Sequence, residues 1–143
     1  MRKLVVILCA VIVFFCNIAE ARSIIYANSD PNYPIWMSGN RGGSALDLSS
    51  SIEIPVDNHF LQICARNFSL LYKNGDGETY ENGELESHGF VYFREYNDGS
   101  GLFYALSDYP TDDLNWEKVD VHSSLFASVN DVYYLVKNKI TNK

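Results

Sequence analysis

The sequence predicts an all-β fold, a sandwich or barrel built as one domain from two related halves. Three observations carry that expectation. Short alternating apolar segments recur along the chain, clusters of Gly, Asn and Asp separate them, and one pattern of about eighteen residues occurs twice. The abundance of Tyr and Phe, 10 and 8 residues, also favours sheet over helix.

Taken in order, the strand candidates are "SIIYA", "IWM", "SIEIP", "HFLQICA", "FSLLYK", "ETYE", "GFVYFREY", "GLFYALSD" and "DVYYLVK". Between them lie "NSDPNYP", "SGNRGGS", "NGDG" and "NDGSG", whose residues supply positive φ in tight turns. Two hairpins stand out, one turning at "NGDG" and one at "NDGSG". The only helical expectation is a single turn in "DDLNWEKV", opening at Asp112 or Asp113 where acids suit the helix dipole.

Residues 1 to 21 read as a secretory leader: Arg2 and Lys3, an apolar run from Leu4 to Cys16, then the small-residue site Ala19-Glu20-Ala21. The apolar run is well short of the roughly 20 residues that cross a bilayer. The expected mature chain is residues 22–143, secreted or periplasmic, with no membrane association after cleavage. Cleavage removes two basic residues and one acidic residue, so the product is one unit more acidic than the formal charge of −7. That balance argues against nucleic acid as a partner. Cys9 and Cys16 leave with the leader, so Cys64 has no partner for an intramolecular disulfide. Its place in an apolar strand predicts a buried, slow thiol.

The repeat aligns "LDLSSSIEIPVDNHFLQI", from Leu46, with "VDVHSSLFASVNDVYYLV", from Val119, without a gap. Asp47 falls on Asp120, Ser50 on Ser123, Ser51 on Ser124 and Val56 on Val129. Each copy reads as an arch between sheets, in which serine hydroxyls bond backbone groups that the ladder leaves free. Equivalent arches predict equal losses, about 1 to 2 kcal/mol, for Ser51→Ala and Ser124→Ala.

The pieces "SSIEIP", "ARNFS" and "SDYPTDDL…VHSSL" resemble the βγ-crystallin family over Tyr33 to Phe68 and Asp108 to Val136. The resemblance implies a Greek-key sandwich of two related halves. It also implies a calcium site in each copy, at Asp47 with Ser50 and at Asp120 with Ser123. The aliphatic residues Leu46 and Val119 occupy a position where the family carries a side-chain oxygen, so any such site is expected to be weak or vestigial, and no other cofactor is implied.

No residue set announces a reaction. His59, His88 and His122 are scattered, no G-x-S-x-G elbow is present, and "DGSG" reads as a turn. "NGDGETYE" from Asn74 lacks the sixth-position glycine of a calcium loop. Asn67-Phe68-Ser69 is a glycosylation sequon, and Trp36 and Trp116 are the aromatic candidates for a binding patch. The expected function is an exported, non-enzymatic binding module that could engage a protein partner. The alternative is a small secreted or periplasmic inhibitor or immunity protein whose acidic face blocks a basic partner.

Overall fold

The structure, a computed structural model, describes residues 23–39, 42–56, 58–72, 83–111, 113–120 and 124–143. The expected leader, the "NGDG" turn and "ETYE" lie outside the described residues. Among the described residues six antiparallel strands follow one another: β1 (Ile35–Ser38), β2 (Gly42–Glu53), β3 (Phe60–Tyr72), β4 (Gly83–Tyr96), β5 (Leu102–Ser107) and β6 (Glu117–Lys118). Helix α1 (Ser124–Thr141) closes the chain. A mainly-β fold is thus present, with one α-helix among the described residues.

Each strand pairs with its sequence neighbours, so the described strands form one meander rather than a Greek-key sandwich. The sheet curls into a half-barrel, and the Trp36 ring of β1 meets the Tyr104 ring of β5 at 6.2 Å across the inner face. Alternation along the strands sets two faces. Leu46, Leu48, Ile63, Ala65, Val91 and Phe93 point inward and pack against Val129, Val132, Tyr133 and Val136 of α1.

Helix α1 corrects the expected second half. "DVYYLVK" is helical, and of the second copy Val119 and Asp120 follow β6 while residues 124–136 lie in α1. The physical reason is spacing: Val129, Val132, Tyr133, Val136 and Ile140 recur at three- and four-residue intervals, which gathers them on one helical face. That face has the concave sheet to cover, and burial outweighs the modest strand preference of Val and Tyr.

Polar contacts fix the helix in place. Tyr133 donates its hydroxyl to Glu95 Oε2 at 2.6 Å, and Lys137 Nζ reaches the same oxygen at 2.6 Å. Partial burial pulls the Glu95 carboxyl upward, but the Lys137 and Tyr133 hydrogen bonds and the Lys137 charge outweigh it and hold it below the usual carboxylate range. A depressed carboxyl stabilises the fold above its ordinary pKa and loses that contribution as pH falls through the folded value. Stability is therefore expected to decline once pH drops below about 4.5. Glu95→Gln should flatten that acid limb in denaturant melts taken across the range. An unchanged limb would show that other carboxyls set it.

The serine run also departs from expectation. It is a bulge inside β2, not an arch between sheets: Asp47 pairs with Arg66 and Ile52 with Cys64, so residues 48 to 51 oppose Ala65 alone. Ser50 Oγ donates to the Asp47 carbonyl at 2.7 Å and accepts the Arg66 N–H at 2.8 Å. The hydroxyl thus satisfies ladder groups freed by the extra residues, which is the role expected of it at a different place. Ser51 differs. Its Oγ is fully buried and makes no hydrogen bond among the described residues. Removing an unsatisfied buried hydroxyl relieves its desolvation cost, so Ser51→Ala is expected to gain about 1 kcal/mol in a urea melt. A loss of that size would show that the hydroxyl has a partner.

The remaining local differences have simple causes. "SIIYA" ends in a 3-10 turn at Ala27–Ser29, with Asn28 at φ 54, and "HFLQICA" and "FSLLYK" merge into β3. "DDLNWEKV" forms no helix over its described residues, because Leu114 and Trp116 lie on the outer face of the sheet against the cluster of Cys64, Tyr92 and Ala105. The "NDGSG" hairpin forms as expected, with Gly99 and Gly101 at positive φ and Asp98 Oδ1 accepting from both the N–H and the hydroxyl of Ser100.

Candidate functional site

Among the described residues a cleft lies on each face of the sheet. The inner cleft adjoins Trp36, whose carbonyl accepts from Ser128 Oγ of α1 at 2.8 Å. It encloses about 340 Å3 and is lined by Trp36, Met37, Ser44, Asn67, Ser69, His88, Phe90, Leu106, Ser107 and Asp108. A volume of this order suits a small molecule.

Asn67 organises the floor. Its Oδ1 accepts the Trp36 indole N–H at 3.0 Å and its Nδ2 donates to the His88 carbonyl at 3.3 Å, tying β1, β3 and β4 together. The side chain is 3 % exposed, so the sequon amide is out of reach in the folded protein. Met37 and Leu106 stand on opposite sides and are about half exposed, the solvent-facing apolar groups of the mouth. His88 Nε2 and Asp108 Oδ1 are 4.0 Å apart at the rim, both open to solvent. Ser107 Oγ is occupied by the Tyr109 carbonyl at 2.5 Å. Among the described residues no serine hydroxyl is hydrogen-bonded to His88, the contact a serine nucleophile requires.

The outer cleft, about 400 Å3, is lined by Asp47, Ser49, Ser50, Ile52, Cys64, Arg66 and Phe90. Asp47 Oδ1 accepts from the Ser49 N–H at 2.9 Å and the Ser49 hydroxyl at 2.5 Å, an Asx turn that starts the bulge. Of the predicted calcium residues, Asp47 and Ser50 come together here, but the Ser50 hydroxyl is committed to the backbone. Asp120 is exposed beyond β6, and Ser123 lies outside the described residues. Among the described residues no three His, Cys, Asp or Glu side chains gather as metal ligands. Cys64 is buried as expected, and burial pushes its thiol pKa up.

The two tryptophans divide between the faces. Trp36 is a core residue whose edge reaches the inner cleft. Trp116 sits outside, with the Arg94 guanidinium 4.1 Å from its ring centre and 4.1 Å from that of Phe60. Gln62 Oε1 accepts from Arg94 Nε and Nη2, which holds the guanidinium between the rings.

Sequence reasoning missed the inner cleft, because Met37 and Leu106 meet only when β1 and β5 curl toward each other. The available signal was alternation: Leu102, Tyr104 and Leu106 share a face, and a large apolar residue at the exposed end of such a row marks a face left partly uncovered. No family model, curated protein or solved structure matches this chain.

Proposed function

We propose that the chain is an exported, non-enzymatic binding module whose inner cleft takes a small ligand with an apolar body and one polar group. The observation that carries this reading is the cleft itself: Met37 and Leu106 form apolar walls at its mouth, while His88 and Asp108 offer polar partners at the rim. A concave site with few convergent polar groups is the usual form of a small-molecule pocket. The rival reading, an acidic inhibitor or immunity protein, draws on the net charge alone. It requires a basic partner that is captured at low salt and released as salt rises.

The test uses anilinonaphthalene sulfonate, an apolar ring system with one anionic group, followed by its fluorescence on binding. Met37→Arg and Leu106→Arg place a long charged side chain in the mouth at already exposed positions, so the fold should tolerate them. Each is expected to weaken probe binding by about tenfold or more, equivalent to about 1.4 kcal/mol. Absence of probe binding to the native protein, or equal binding by both variants, would overturn the proposal.

A further inference from the structure

The outer cleft holds two opposite charges that do not meet. Asp47 and Arg66 are directly opposed partners in the β2–β3 ladder and both line the cleft, yet among the described residues no ion pair joins them. Facing charges of opposite sign on adjacent strands ordinarily gain by pairing. Here Asp47 directs Oδ1 to the Ser49 turn, and its second oxygen makes no hydrogen bond among the described residues. The Asp47 residue as a whole is only 9 % exposed, and it lines the cleft beside Arg66. The Arg66 side chain is exposed and makes neither a hydrogen bond nor an ion pair among the described residues, although its backbone N–H reaches Ser50.

The surroundings make this a gap in an otherwise covered face. On one side Tyr33 and Ile35 pack over Ala45 and Leu70. On the other, Leu114 and Trp116 pack over Cys64, Tyr92 and Ala105. Between these covers, Ile52, Cys64 and Phe90 give the cleft an apolar lining beside the two charges.

We propose that the outer cleft binds a free α-amino acid with an apolar side chain. The ligand's ammonium group sits against the free oxygen of Asp47, its carboxylate takes the forked Arg66 guanidinium, and its side chain covers Ile52, Cys64 and Phe90. Each charge of the zwitterion then answers a protein charge that no opposite charge pairs with among the described residues. The site is separate from the inner cleft and does not depend on the function proposed for it.

Calorimetric titration of the purified protein with L-leucine tests the assignment. N-acetyl-L-leucine lacks the ammonium charge and L-leucine methyl ester lacks the carboxylate, so each is expected to bind at least about tenfold more weakly. Arg66→Gln should weaken L-leucine as much as the ester does, while Met37→Arg, on the other face, should leave it unchanged. A thermal melt of Arg66→Gln confirms folding, which the exposure of Arg66 favours. No binding of L-leucine at millimolar concentration overturns the proposal, as does equal binding of the capped ligands or an unaffected Arg66→Gln variant.

Discussion

Tyr133→Ala is expected to cost about 3 to 5 kcal/mol of stability, the range for removing a large aromatic ring from a packed interior. Tyr133 is fully buried in α1, packs on Phe93 at a ring separation of 5.7 Å, and hydrogen-bonds Glu95 through its hydroxyl. Ring and hydroxyl can be separated. Tyr133→Phe keeps the packing and leaves Glu95 with Lys137, so its expected loss is only about 1 kcal/mol. Urea melts of both variants measure the two terms. A small loss for the alanine variant would mean that α1 does not seal the inner face as described.

The second large effect belongs to Gly89. It adopts φ +72, where a side chain is strained, and a Cβ there would run into the Ser107 carbonyl on β5. Gly89 sits where the β3–β4 register shifts between Arg66 and Phe68, the irregularity that brings the His88 carbonyl to Asn67. Gly89→Ala combines left-handed strain with overpacking and should lose about 2 to 4 kcal/mol. It should also weaken probe binding at the inner cleft, because the floor made by Asn67 and His88 shifts with the strand. A melt that matches the native protein would show that the bulge relaxes freely.

Strand content was legible because "GFVYFREY", "GLFYALSD" and the "NDGSG" turn carry their own local instructions: alternation, aromatic residues and glycines for positive φ. The burial of Cys64 followed from the same kind of local pattern. The helix is less legible because Val, Tyr and Leu suit either structure, and only the spacing of Val129, Val132, Tyr133 and Val136 favours a helix over a strand. "DVHSSL" and "DLSSSI" share a residue pattern but not a secondary structure over their described residues. For the serines, the chemistry was legible and the topology was not. Ser50 does bond freed backbone groups, but within a bulged strand, a distinction set by the pairing of Asp47 with Arg66 and Ile52 with Cys64. The candidate sites depend still more on tertiary structure. Met37 and Leu106 are far apart in sequence and share a cleft only through the curl of the sheet.

That shared cleft is the central claim, and the two indole N–H signals in a proton–nitrogen correlation spectrum test it most directly. Trp36 reports on the inner face through its bond to Asn67, and Trp116 reports on the outer face beside Arg94. During titration with anilinonaphthalene sulfonate, the Trp36 signal should shift progressively while the Trp116 signal stays in place. Movement of Trp116 alone, or of neither indole at saturating probe, would contradict ligand binding in the half-barrel.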